Sequence, residues 1–250
     1  DFAGGMTRGE ITALGGRPSH GKTTLMINIV DSLLAQGLTV MVFNREMRNA
    51  ALIEKLVVIN QHFRAKEMRK KQFTEKDILK LEDIRESMKP RYKNLIMYDD
   101  IRDLDETMRE IKRHKPDVII DDYIQLITVA GVSERRFQIE TIMNEYKWIA
   151  KSIDCHVILV SQLSRGIESR VDPIPKGSDF AEGGTIEQVS EACMFVYRPF
   201  LFDHESASKY EANIIATKVR YGDPATYDVG FNGDKCMFYK TAIEAEAQDG

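Results

Sequence analysis

What this chain has little of narrows its class before any motif is read. Its 250 residues hold three cysteines, Cys155, Cys193 and Cys236, an odd number, widely spaced and set in apolar runs. That arrangement suits buried thiols in a reducing compartment and argues against a disulfide framework or a zinc site. Positive charge is not in excess: 35 Lys plus Arg stand against 39 Asp plus Glu, a formal net charge of -4. No overall basic field recruits a polyanion, so any nucleic-acid contact has to be local. No apolar run approaches the length of a membrane span. The chain opens Asp1-Phe2-Ala3-Gly4-Gly5 with neither an initiating Met nor a signal-like segment, and the expectation is a piece of something longer.

What is there is an alternation of apolar runs and amphipathic segments. Strands are expected near Ile11–Leu14, Thr39–Phe43, Leu95–Tyr98, Val118–Ile120, Val157–Val160 and Ala192–Tyr197. Continuous apolar runs of this kind suit strands covered on both faces, and Lys22–Gln36, Arg48–Phe63, Asp103–His114 and Gln138–Ile153 supply the covering helices. The expected fold is a single α/β domain with a mostly parallel sheet. After Asn213 the pattern becomes strand, turn, strand over Ile214–Lys218, Ala225–Phe231 and Met237–Tyr239, a C-terminal antiparallel hairpin extension. Ala65–Lys93 is charged and helix-prone, with Thr74 as N-cap, and is read as a solvated helical excursion. Residues 1–240 form the expected domain; residues 241–250 are expected as an acidic tail, loose over Glu244–Gly250.

The most specific signal is Gly16-Arg17-Pro18-Ser19-His20-Gly21-Lys22-Thr23, followed by Thr24, which satisfies the phosphate-binding pattern GxxxxGK(S/T) directly after a strand. In such a loop backbone N–H groups close around the α/β-phosphates, Lys22 reaches the β/γ oxygens and the Thr23 hydroxyl is a ligand for Mg²⁺. The dipole of the helix that begins there adds to the attraction. The pattern arises by accident in roughly one chain in a hundred of this length, so a nucleoside triphosphate is the expected ligand. Val118-Ile119-Ile120-Asp121-Asp122 reads as a strand ending in a Mg²⁺-side carboxylate. Glu46, beyond the second strand, can orient or deprotonate an attacking water, or can merely open a helix. At the end of Val157–Val160, the neutral amide of Gln162 can sense the γ-phosphate.

Taken together these phrases resemble the C-terminal RecA-like ATPase domain of DnaB-type replicative helicases, over most of the chain. The resemblance rests on the phosphate loop, on Asn44-Arg45-Glu46-Met47, and on Asp122-Tyr123-Ile124-Gln125-Leu126. Ser161-Gln162-Leu163-Ser164-Arg165, Gly184-Thr185-Ile186-Glu187-Gln188 and Lys218-Val219-Arg220-Tyr221-Gly222 extend it. It implies ATP and Mg²⁺ as cofactors and a homo-hexameric ring moving 5′ to 3′ on single-stranded DNA. It makes Asp122, not Asp121, the metal-side carboxylate, and Lys22, Glu46, Gln162, Lys218 and Arg220 the catalytic set. Lys218 and Arg220 would reach the neighbouring subunit's nucleotide, Arg220 as its finger. For the parent protein it implies a primase and a loader as partners, with no membrane association, in the cytoplasm of a bacterial cell or a phage-infected host.

The sequence departs from the family at its DNA loop. Where an arginine precedes a Glu-Ser-Gly-type turn in the family, this chain has Asp179-Phe180-Ala181-Glu182-Gly183-Gly184, with Ala181 at the arginine position. Phosphate contacts are therefore expected from backbone N–H groups around Glu182, Gly183 and Gly184, helped by Lys176, Arg165 or Arg170. Arg135-Arg136 is a second basic candidate, and Phe180 can stack a base or pack. A strand-exchange or repair ATPase on the same fold, and a nucleotide-gated scaffold, stay open as alternatives. The pair at Lys218 and Arg220 favours the helicase over the first, and intact Lys22, Glu46 and Asp122 argue against the second.

Overall fold

The computed structural model describes residues 5–60, 63–70, 73–164, 166–167, 170, 172–181 and 184–249. Six parallel strands form the heart of one sheet: β1 (Ile11–Gly16), β2 (Val40–Asn44), β3 (Leu95–Tyr98), β4 (Val118–Asp122), β5 (His156–Gln162) and β6 (Ala192–Tyr197). Three antiparallel strands, β7 (Glu211–Val219), β8 (Ala225–Asn232) and β9 (Met237–Tyr239), continue it beyond β6. The spatial order is β3-β2-β4-β5-β1-β6-β7-β8-β9.

Strand periodicity sorts the core into two layers. Ile11, Ala13, Met41, Phe43, Ile119, Val157 and Leu159 face one side, where α5 (Leu104–His114), α6 (Arg135–Ser152) and the short α7 (Gly184–Val189) cover them. Leu14, Val40, Val42, Val118, Ile120, Ile158 and Val160 face the other side, under α1 (Lys22–Ala35), α2 (Asn49–Ile59) and α4 (Glu75–Tyr92). All the parallel strands therefore end at one edge, and the residues following β1, β2, β4 and β5 meet there.

Most boundaries fall where the sequence pattern puts them, with two differences. The helix expected over Arg48–Phe63 ends at Ile59, and α3 (Ala65–Lys70) follows as a separate turn. Glu244–Gly250, expected to be loose, is folded as far as Asp249. Thr241 caps α8 (Ala242–Glu246) by accepting from the Glu244 N–H, and Ala245 is fully buried. Asp249 then accepts from the Asn232 amide at 3.0 Å, from Lys209 at 3.1 Å and from the Tyr210 hydroxyl. These partners are far away in sequence, which is why composition alone suggests a free tail.

The excursion behaves as expected. Thr74 and Asp77 form a reciprocal capping box at the start of α4, and Ile84 is its buried residue. Among the described residues no helix is long and apolar enough to cross a membrane. The three cysteines are buried.

Candidate nucleotide-binding site

The loop from Gly16 to Gly21 turns β1 into α1, and its shape depends on two residues without side chains. At Gly16 a Cβ would lie 2.8 Å from Cγ of Lys22, so glycine here lets the lysine fold back along the loop. At Gly21, the N-cap of α1, φ is 102°, a left-handed value that favours glycine. Pro18 and Ser19 are exposed, Arg17, Lys22 and Thr23 are half-buried, and Thr24 is buried. Lys22 donates to the carbonyl of Gly16 at 2.5 Å. Burial lowers its pKa, while Asp122 and Glu46 act in the opposite direction, which places three of the expected groups in one electrostatic neighbourhood.

His20 takes another direction. Its ring is buried, accepts from the Arg198 N–H through Nδ1 at 3.0 Å, and sits 5.7 Å from the Tyr197 ring and 5.6 Å from Phe202. Burial, and then the charges of Arg198, Lys22 and Arg17, push its pKa down to about 4. The side chain is thus a neutral anchor of the loop to the end of β6. Arg198 adds a second anchor: it donates to the Ser19 carbonyl at 3.3 Å and lies 4.2 Å from the centroid of Phe231. Sequence reading missed Arg198 because it lies far from the loop in the chain.

Asp121 and Asp122 end β4 and point to opposite faces. Asp121 takes a bidentate pair from Arg45 and a hydrogen bond from Tyr146 within the α5–α6 layer. Asp122 lies on the α1 side, 1% exposed, and neither carboxylate oxygen has a hydrogen-bond partner among the described residues. Burial and then the nearby Glu46 push its pKa up to about 7, with Lys22 opposing. A buried carboxylate with both oxygens unpartnered, beside a phosphate loop, is the donor set a hard cation needs. The chemistry of Asp122 fits Mg²⁺.

Glu46 is exposed just past β2, on the edge where Lys22 and Asp122 lie. Gln162 ends β5 directly beside Gly16 in the sheet register. Its carbonyl accepts from the Ala181 N–H at 3.0 Å, and Ser164 N–H donates to the Asp179 carbonyl at 2.8 Å. The two ends of the 163–181 segment are thereby tied to the strand that flanks the phosphate loop. Gln125, in the turn just past β4, supports it by donating to the Ser161 hydroxyl at 2.7 Å.

The family model described as DnaB-like helicase C terminal domain matches residues 1–240. This chain belongs to the DnaB-like helicase family. The replicative DNA helicase DnaC of Bacillus subtilis (strain 168) is 31% identical over 236 residues, covering 91% of this chain and 51% of the relative. DnaB of Geobacillus stearothermophilus is 30% identical over 237 residues, with the same coverage of 91% and 51%. The solved structure titled "The Structure Of A DnaB-Like Replicative Helicase And Its Interactions With Primase" superposes with a TM-score of 0.84 at 28% identity. That match covers 94% of this chain and 58% of that one. The chain thus spans about half the length of the curated relatives it matches, and its fold is the RecA-like fold of the DnaB ATPase domain.

Within this DnaB-like domain, Lys218 and Arg220 stand apart from the phosphate loop. Val219 is in register with Ala192, which is in register with Thr12 at the start of β1, whereas the phosphate loop begins at Gly16. At strand spacing that is about 13 Å along the sheet, at the opposite edge. Lys218 donates to the carbonyls of Glu187 at 2.6 Å and Gln188 at 3.2 Å, while Arg220 pairs with Glu191 at 2.8 Å and remains 59% exposed. Glu191, unremarked in the sequence, also binds Lys147 and the Ile11 N–H. Burial works against its charge, but these donors hold its pKa below the ordinary carboxylate value.

The expected DNA-contacting residues are divided. Arg165, Glu182 and Gly183 lie outside the described residues. Lys176 is exposed, and Gly184 opens α7. Arg170 holds Asp179 with contacts of 3.0 and 2.9 Å, so its charge is engaged within the loop. Phe180 is 2% exposed and packs on Phe195 at 4.8 Å between centroids, so of the two readings it packs. Arg135 bonds the Ile127 carbonyl and Gln138, which makes it part of the entry to α6.

Proposed function

We propose that this chain is the ATP-hydrolysing motor of a ring-shaped replicative DNA helicase, assembled as a homo-hexamer and moving 5′ to 3′ on single-stranded DNA. The observation that carries the reading is the separation just described. Lys22, Asp122 and Glu46 converge at one edge of the sheet, while Lys218 and Arg220 sit at the other, beyond reach of their own phosphate loop. Such a site is completed only by a second copy arranged head to tail, and a head-to-tail interface that closes makes a ring.

In this reading the loop amides, the α1 dipole and Lys22 bind the triphosphate, and Thr23 and Asp122 hold Mg²⁺, which neutralises phosphate charge when bound. Glu46 accepts a proton from, or orients, the attacking water. Arg220, with Lys218, comes from the neighbouring protomer to stabilise charge on the transferred phosphoryl group. Gln162 reads the γ-phosphate through its amide and passes the difference to the 163–181 segment through the Ala181 and Ser164 backbone bonds. Single-stranded DNA contacts are assigned to that segment and to the backbone around Glu182, Gly183 and Gly184, with Lys176 and Arg165. In the parent protein a primase and a loader are the proposed partners, and the proposed location is the cytoplasm of a bacterium or of a phage-infected host.

The test is steady-state ATP hydrolysis with and without single-stranded DNA, on the wild type and on Arg220→Ala, at several protein concentrations. DNA stimulation that rises faster than linearly with protein and collapses in Arg220→Ala supports the shared site. Hydrolysis that is independent of concentration and of Arg220 would sink it.

A further inference from the structure

Asn44 ends β2, and its register partner on β4 is Asp122. Val40 and Val42 of β2, like Val118 and Ile120 of β4, face the layer containing α1. By the same alternation the Asn44 carboxamide and the Asp122 carboxylate lie side by side on that face, under the phosphate loop. Asn44 is 0% exposed and Asp122 is 1% exposed. Among the described residues neither Nδ2 nor Oδ1 of Asn44 has a hydrogen-bond partner, and neither oxygen of Asp122 has one. Two neighbouring buried groups, one of them a carboxamide with two donors and an acceptor, do not bond each other.

Buried polar groups are ordinarily satisfied, and a pair left open at a functional edge calls for a ligand that bonds both. Apolar substrate atoms cannot do so, and a second carboxylate would repel Asp122. A hydrated divalent cation can. Mg²⁺ gives up its waters reluctantly and keeps several of them when it is bound through one carboxylate and phosphate oxygens. Such a water has two protons to donate: one suits Oδ1 of Asn44. The amide itself adds no charge that would weaken nucleotide binding.

We propose that Asn44 is a positioning residue of the nucleotide-linked metal site, where its carboxamide holds a water in the coordination shell of the cation bound through Asp122. The inference rests on the metal site of the proposed function. Groups that orient a metal's ligands typically change metal affinity by about 10- to 100-fold when they are removed.

The experiment titrates Mn²⁺, followed by electron paramagnetic resonance, into this chain saturated with ADP. It compares the wild type with Asn44→Ala, Asn44→Val and Asp122→Asn. ADP affinity in the presence of EDTA and the thermal midpoint of the ligand-free protein are measured in parallel. Mn²⁺ affinity should fall about 10- to 100-fold in the Asn44 variants, with metal-free ADP affinity unchanged and the midpoint unchanged or raised. Asn44→Val fills the space an alanine leaves, so one variant reports even if the other packs badly. Wild-type Mn²⁺ affinity in both Asn44 variants, or a loss that merely follows a lowered midpoint and weaker metal-free ADP binding, overturns the proposal. If Asp122→Asn also keeps wild-type Mn²⁺ affinity, the metal-site reading itself fails; if Asp122→Asn loses it and the Asn44 variants do not, only the role of Asn44 falls.

Discussion

Arg45 lays its guanidinium across both carboxylate oxygens of Asp121, Nε and Nη2 each at 2.7 Å, and neither side chain is exposed. The same guanidinium donates to the Ile101 carbonyl at 2.6 Å and to the Thr107 hydroxyl at 3.0 Å, and Tyr146 also donates to Asp121. This cluster lies on the face opposite Asn44 and Asp122, so it ties the ends of β2 and β4 together from behind. Glu46 follows directly on the chain. Breaking such a pair by removing one partner costs about 3–5 kcal/mol, because a charge stays buried alone, whereas replacing both by apolar groups is often neutral or better. Arg45→Leu should therefore be destabilised by that amount in denaturant unfolding. Arg45→Leu combined with Asp121→Val and Tyr146→Phe should recover most of it. An additive loss across the three changes would show that the cluster is not a coupled unit.

The pH response of the phosphate loop follows from His20. Its folded pKa of about 4 lies below the ordinary value of 6.5, so the neutral ring contributes stability that is fully present above pH 6.5. That contribution is lost as pH falls through 4, because the ring must then charge inside its pocket. By linkage the effect is at most about 3 kcal/mol. An Asn at position 20 keeps an acceptor for the Arg198 N–H without titrating. The stability difference between pH 7 and pH 4.5 should thus be smaller in His20→Asn than in the wild type. A His20 imidazole that titrates near 6.5 by NMR would refute the assignment.

How far the sequence foretold all this depended on the range of each interaction. The phosphate loop, the Asp122 strand and the capping box at Thr74 are short patterns in which partners are a few residues apart, and the local backbone carries the message. Arg45 and Asp121 are far apart in the chain, and only the β2–β4 register brings them together; the sequence showed two charges in apolar runs with no sign of a pair. Glu191 drew no notice in the sequence, yet it gathers Lys147, the Ile11 N–H and Arg220. Arg170 was a candidate phosphate contact, and its engagement with Asp179 depends on a loop shape that no periodicity reports. Composition also misjudged the C-terminal segment, since Tyr210 and Asn232 hold Asp249 through the sheet extension.

That docking makes Gly230 sensitive. A Cβ there would meet the Thr241 carbonyl oxygen at 2.0 Å and the Ala245 side chain at 2.8 Å, both part of the folded end of the chain. Gly230→Ala should therefore push α8 off β8, at a cost of about 1–3 kcal/mol, and make the segment after Tyr239 the first site of limited proteolysis. A variant that keeps wild-type protection there would show that the strand bends to accommodate the methyl group.

The proposed ring, with Lys22 and Arg220 supplied to each site by different protomers, predicts how defective subunits behave together. Lys22→Ala removes the phosphate lysine and leaves Arg220 in place; Arg220→Ala does the reverse. Each protein alone should hydrolyse little ATP, because every interface in its ring lacks one component. In an equal mixture that exchanges subunits, an interface works when an Arg220→Ala protomer supplies the nucleotide site and a Lys22→Ala protomer supplies the arginine. Random assembly into a head-to-tail ring gives that combination at about one interface in four. Activity in the mixture should rise well above the sum of the two separate proteins, toward about a quarter of the wild type. A mixture that shows only the sum of its parts places both residues in one protomer's site, which the opposite-edge geometry forbids for this fold without rearrangement. Pairing Lys22→Ala with Glu46→Ala is the internal control. Those two groups belong to the same edge, so no arrangement of protomers completes a site, and mixing them should restore nothing.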